Sequence, residues 1–171
     1  MNLKIEAALG YANRGWKVFP LKANQKIPAT ARGHKDATTD PDRIIEYWGN
    51  YPELNIGLAL SESGLVVIDA DIYKPDCYFD TFMRGQEMPT TLVQRSANGG
   101  THYVFRCKPH DTFAGQLCLG VDIKHQGYIV VEPSALNEKV YEWQTDDPPA
   151  DAPLWLPRKV QPTKSPTGNR Q

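Results

Sequence analysis

The chain has 171 residues, a formal net charge of −1, 40% hydrophobic and 10% aromatic content, enough for one cored domain or two lobes sharing a cleft. This balance excludes a disordered chain, and no apolar run approaches the roughly 20 residues of a membrane span. Near-neutrality advertises no global field for nucleic acid, although a neutral protein can still carry one basic groove.

Met1 to Glu6 carries an early acid and lacks the apolar core of a secretion signal, so a cytoplasmic location is the default. Ile5, Ala8, Leu9 and Ala12 recur at helical spacing, with Gly15 placed to end the helix. Trp16 to Leu21 reads as a short strand. Lys22 to Asp36 is a polar loop bearing Lys22, Lys26, Arg32, His34 and Lys35. A solvated loop is its plain reading; contact with a template strand through Lys22, Lys26, Arg32 and Lys35 is the functional one. A second helix is predicted from Thr39 or Asp40 as cap, Pro41 in the first turn, and Ile44, Ile45 and Trp48 as apolar face.

Asn55 to Leu60 and Leu65 to Asp71 read as strands joined by a turn at 61–64. The second is apolar on both faces until its end, as a central, covered strand would be. Cys77 to Arg84 reads as a short helix. Pro89 to Arg95 and Thr101 to Cys107 read as a strand pair around Ser96 to Gly100, and Val121 to Lys124 with Tyr128 to Glu132 as another around His125 to Gly127. From Thr145 onward Pro, Asp, Ser and Thr dominate. Two regions are therefore expected, a domain over 1–145 and a partly flexible, Pro-rich extension or linker over 146–171. Cys77, Cys107 and Cys118 have no zinc-type spacing, and an odd count argues for reduced thiols.

Strand alternation places Asp69 and Asp71 on one face, where two adjacent carboxylates call for a cation. Asp122 and Lys124 share a face of their own strand, and so do His102 and Arg106. If these strands flank the one carrying Asp69, a single surface presents three carboxylates, a histidine and two cations. Three carboxylates can hold one or two Mg²⁺ or Mn²⁺ ions, and two such ions about 4 Å apart clamp an in-line phosphoryl transfer. Each member has a plainer reading: a structural histidine for His102, a turn residue for Asp122, a simple hairpin for Gly99 and Gly100. The combination carries the weight.

The order of these motifs resembles the N-terminal primase–polymerase domain of the archaeo-eukaryotic primase superfamily, found in plasmid, phage and prophage replication proteins. The similar residues run from about Ala7 to Trp143. They include Gly15 to Leu21, Lys26-Ile27-Pro28, Lys35 to Pro41, Asn55 to Ala59, Gly64 to Asp71, Gly99 to Phe105, Gly120 to Lys124 and Gly127 to Ser134. The resemblance implies that Asp69, Asp71 and Asp122 bind metal. It implies that His102 contacts the phosphates of the incoming nucleotide, helped by Lys124, Arg95 or Arg106, with Asn98, Gly99 and Gly100 close by. Relatives often carry a serine two residues before the histidine; here Gly100 stands there.

The implied fold is α/β (α+β), a small N-terminal α/β module plus an RRM-like mixed or antiparallel sheet forming a cleft. The implied function is metal-dependent, template-directed nucleotidyl transfer, as a DNA primase or polymerase. Its partners would be a single-stranded DNA template and primer, a dNTP or NTP, and a helicase or further domains of a longer parent; a membrane is not among them. Tyr73 and Tyr128 are candidates for sensing the sugar, with core packing the favoured role. The rival readings are a metal-dependent nuclease or phosphodiesterase, and a non-catalytic RRM-like nucleic-acid binder.

Overall fold

A computed structural model describes residues 2–159. It has a mixed α+β fold with few helices and a large, mainly antiparallel sheet.

The first helix, α1 (Leu3–Asn13), starts where the Asn2 side chain accepts from the Lys4 and Ile5 amides. It ends as Gly15 turns back at φ +80, a conformation favouring glycine. Strand β1 (Val18–Leu21) follows, and the polar loop closes on a 3-10 turn at Gly33–Asp36. Helix α2 (Pro41–Asn50) is capped by Asp40, which accepts from the Asp42 amide at 3.0 Å. Ile44 and Trp48, one turn apart, are fully buried, whereas Ile45 is 48% exposed and lies off the expected apolar face.

Strand β2 (Asn55–Ala59) lies between β1 and β8 (Tyr128–Val131) in a three-stranded antiparallel sheet. The Cβ position of Gly57 falls 2.7 Å from the Phe19 ring, so only glycine lets these strands and the ring close up.

The larger sheet is built on β3 (Leu65–Ala70), flanked by β5 (Thr101–Arg106) and β7 (Val121–Lys124). Strand β4 (Leu92–Arg95) pairs with β5 as the expected hairpin, and β6 (Gln116–Cys118) extends the β7 edge. A short helix, α3 (Phe79–Met83), lies in the predicted 77–84 segment. Strands β9 (Ala135–Leu136) and β10 (Lys139–Val140) form a small hairpin, and β11 (Glu142–Trp143) pairs with β4. Within the stretch expected as an extension, β12 (Ala150–Asp151) pairs with β5 in parallel and Leu156 is buried in the core. Residues 160–171 of that stretch lie outside the described residues.

Two expected connections take a different course. Strands β2 and β3 do not pair, and neither do β7 and β8; each consecutive pair is split between the two sheets. The reason is local bonding. The Leu60 amide donates to Gly127 O and the Ser61 amide to His125 O, both at 2.9 Å, so the two connections bond to each other instead of closing hairpins. Gly64, at φ +69, then turns the chain into the second sheet.

Val67, Leu65, Val104 and Leu92 on one face of the large sheet pack against Ala8, Ile44, Trp48, Ile56 and Leu58 of the N-terminal layer. Val66, Ile68, Phe105 and Val121 on the other face pack against Phe79 and Leu156. Strand β3 is therefore covered on both sides, as its sequence predicts. Cys77, Cys107 and Cys118 are all free. No helix among the described residues is long and apolar enough to cross a membrane.

Candidate active site

The register sets the site. Antiparallel pairing places Gln94 opposite His102, His102 opposite Asp69, and Asp69 opposite Asp122. Directly paired residues project to the same face, so these four form one polar row across β4, β5, β3 and β7. Two residues further along the strands the same face is Leu92, Val104 and Val67, the floor of the core. The polar row thus stands where the packed layers part.

Between the layers lies a cleft of about 160 Å³. Asp69, Asp71, His102, Lys124, Ser96 and Asn98 line it from the large sheet and its loops. Lys26, Tyr128, Ile129 and Val130 close it from the N-terminal layer, with Tyr73 and Tyr141 at its sides. A larger groove of about 590 Å³ runs between α1 and Trp143. There the Tyr11 hydroxyl donates to the Glu132 carbonyl and accepts from the Trp143 indole, so these polar groups satisfy one another.

Asp69 is the most constrained carboxylate of the cleft. Its Oδ1 lies 3.3 Å from His102 Nε2 and its Oδ2 2.8 Å from Lys124 Nζ. Burial opposes its ionisation, but the bond from His102 and the Lys124 ammonium outweigh burial and hold the carboxyl well below the usual aspartate range. Asp71 sits just past β3, its amide bonded to Gly120 O and its carboxylate 2.8 Å from Lys74 Nζ. Gly120 leaves room for this loop, since a Cβ there would fall 2.9 Å from Cys77 Cα.

His102 is 4% exposed and Gln94 is fully buried. Gln94 Nε2 lies 2.9 Å from His102 Nδ1 and donates to Val130 O at 2.9 Å, while its Oε1 accepts from the Glu132 amide at 3.0 Å. Tyr141 stacks near the imidazole, ring centres 6.4 Å apart. Burial first, then the charge of Asp69, pushes the Tyr141 hydroxyl up to about 12, so it stays protonated at neutral pH.

The other expected site residues divide. Asn98 lines the cleft on the turn where Gly99 takes φ +90. The Gly100 amide donates to Ser96 Oγ at 3.0 Å, and that oxygen stands 3.0 Å from where a Cβ of residue 100 would lie. A serine hydroxyl, that of Ser96, therefore lies beside position 100 on the cleft wall. Arg95 is turned to Glu142 at 2.8 Å, and Arg106 lies at the opposite end of β5, 3.1 Å from Asp151. Neither arginine lines the cleft. Asp122 is exposed and faces Asp69 in register without lining the cleft.

Lys26 lines the cleft; Lys22, Arg32 and Lys35 are exposed on the adjoining loop, Arg32 paired with Asp36 at 2.8 Å. Tyr73 is not a core residue, whereas Tyr128 is partly buried and packs edge-on against Phe19 in the core. Tyr73 is 47% exposed, and the Tyr128 hydroxyl donates to Lys26 O at 2.7 Å across the cleft mouth. Tyr73 lies on an irregular stretch where no alternation of neighbours marks an outward position.

Hard oxygen donors on adjacent strands suit Mg²⁺ or Mn²⁺ chemically. Among the described residues no three His, Cys, Asp or Glu side chains already converge into a metal cage. Lysine ammoniums instead neutralise the two cleft carboxylates, Lys124 on Asp69 and Lys74 on Asp71.

Sequence reasoning missed Gln94, Ser96, Lys74 and Tyr141. Gln94 had a signal: the hairpin around 96–100 pairs residue 94 with His102, on the inward face shared with Leu92.

No curated protein matches the chain. The family model described as Bifunctional DNA primase/polymerase, N-terminal (Prim-Pol) matches residues 8–155, most of the chain and every residue of the cleft. The chain belongs to the Prim-Pol family, and with it to proteins of DNA primase/polymerase type.

Proposed function

We propose that this chain is a metal-dependent, template-directed nucleotidyltransferase that serves replication of a plasmid, phage or prophage, and that the Asp69 cleft is its active site. The observation that carries this reading is the polar row in which Asp69 stands between His102 and Asp122 at the mouth of an otherwise apolar interlayer space.

In this reading Asp69, Asp71 and Asp122 would hold one or two Mg²⁺ or Mn²⁺ ions. Such ions, when bound, lower the proton affinity of a primer 3′-hydroxyl and neutralise charge on the departing pyrophosphate. The chain's own residues do the remainder. His102 Nε2 and the Ser96 hydroxyl offer hydrogen bonds to triphosphate oxygens. Lys124, released from Asp69, and Lys26 neutralise the triphosphate charge. Tyr73, Tyr128 and Tyr141 shape the space left for the sugar and base. Lys22, Arg32 and Lys35 provide a basic approach for the single-stranded template. A helicase or further domains of a longer parent would act beside this domain.

The test is extension of a labelled primer on a single-stranded template with Mn²⁺ and dNTPs. The wild type lengthens the primer, and the Asp69→Ala/Asp71→Ala double variant, folded by circular dichroism, does not. Extension retained by the double variant overturns the proposal. The same mixture without dNTPs tests the nuclease alternative, which predicts a shortened strand.

A further inference from the structure

We infer that Gln94 is a positioning residue for the nucleotide's triphosphate, acting through His102 by fixing which imidazole nitrogen carries the hydrogen. The inference rests on the reading of the cleft as a nucleotide site.

The polarity of the Gln94 amide is set by two backbone groups. The Glu132 N–H can only donate, so the oxygen bonded to it at 3.0 Å is Oε1; the Val130 carbonyl can only accept, so the atom at 2.9 Å is Nε2. Reversing the amide would break both bonds in a fully buried place. The second Nε2 hydrogen then points at His102 Nδ1, 2.9 Å away, and Nδ1 must accept it. The ring hydrogen is left on Nε2, the nitrogen that faces Asp69 Oδ1 in the residue lining the cleft. A phosphate oxygen can only accept, so Nε2–H is the one form of a neutral imidazole that can bind it from this position.

The chain of contacts runs from the backbone of β8 and the residue after it, through β4, to the cleft. The N-terminal layer's strand thereby sets the donor on the large sheet. His102 is further confined by Tyr141 stacked beside it. The Gln94 amide on Nδ1 and the Asp69 carboxylate on Nε2 call for the same form, with the hydrogen on Nε2.

The tautomer is read without nucleotide or metal, by long-range ¹H–¹⁵N correlation on ¹⁵N-histidine protein, with His102 assigned by its loss in His102→Ala. The expected pattern is a protonated Nε2 and an unprotonated Nδ1; a hydrogen on Nδ1 overturns the inference. Binding of dATP with Mn²⁺ is then measured by calorimetry. His102→Ala and Gln94→Met are each expected to weaken it about tenfold, and the double variant to bind within twofold of His102→Ala alone.

The wild-type tautomer guards against misfolding of Gln94→Met, because reading it needs no substitution at position 94. Full-strength binding by a folded Gln94→Met, or a further tenfold loss when Gln94→Met is added to His102→Ala, overturns the role of Gln94 and leaves the nucleotide reading standing. Undiminished binding by His102→Ala removes the nucleotide reading itself, and the inference with it.

Discussion

Lys124 Nζ stands 2.8 Å from Asp69 Oδ2, an ammonium resting on the carboxylate that the proposed chemistry needs for a divalent ion. The lysine stem rises from a position paired with Val67, so its methylenes lie on the core edge while its charge reaches the cleft. Lysine and metal ion would compete for one carboxylate, and a triphosphate would give the displaced ammonium a new partner.

Replacing Lys124 by Met should therefore strengthen Mn²⁺ binding and weaken dATP binding. Lys124 is 40% exposed, and an exposed ion pair contributes about 0.2–1 kcal/mol, so the Mn²⁺ half-saturation should fall by about 1.4- to fivefold. Electron paramagnetic resonance of free Mn²⁺ measures it directly. An unchanged half-saturation would show that the ammonium does not compete.

The lowered Asp69 pKa makes a statement about acid stability. A depressed carboxylate contributes stability that is complete above its unfolded value of about 3.9 and is lost as pH falls through the folded value. With divalent ions chelated, wild type should lose stability relative to Asp69→Asn as pH drops from about 5 toward 2. Urea midpoints of the two proteins, followed across that range, check the sign. Midpoints that stay parallel would show that the carboxyl is not held down.

Installing the serine that relatives carry at position 100 should destabilise this chain. A Cβ there meets Ser96 Oγ at 3.0 Å and Ala70 O at 3.1 Å, and the second is backbone of the central strand. Crowding of this kind costs about 1–3 kcal/mol. The melting temperature of Gly100→Ser reads the cost; an unchanged value would mean that the 96–100 turn relaxes freely.

The basic loop makes a prediction in salt. Lys22 and Lys35 are exposed beside the cleft, and each phosphate neutralised on a single strand contributes about 0.7 to the slope of log K against log salt. The Lys22→Ala/Lys35→Ala variant should bind single-stranded DNA with a slope about 1.4 smaller. Equal slopes would remove the loop from the DNA path.

Much of the site was legible because it lies on regular strands. The alternation of Asp69 and Asp71 with Ile68 and Ala70, and of His102 and Asp122 with their apolar neighbours, settles the faces without coordinates. Sheet membership was less accessible. The turns at 61–64 and 125–127 look like hairpin closures, and only the bonds between them reveal that each carries the chain from one sheet to the other. Tyr141, which lines the cleft, and Lys74, which pairs with the cleft's Asp71, were hidden for another reason: both stand on irregular segments, where no periodicity aims a side chain. Arg106 illustrates the converse. It shares a face with His102, yet four residues of extended strand carry it to the far end of β5, beside Asp151.

The stitching of the two connections at Leu60–Gly127 and Ser61–His125 has a consequence for how the protein is made. No contiguous stretch of the chain owns the cleft: Lys26, Asp69, His102, Tyr128 and Tyr141 meet only after the chain has passed from the small sheet to the large one and β8 has returned to the small sheet. A partly synthesised or clipped chain would display carboxylates without their histidine, or a basic loop without its floor. Activity would then appear in one step with the last strands, and an extension assay would double as a reporter of complete folding.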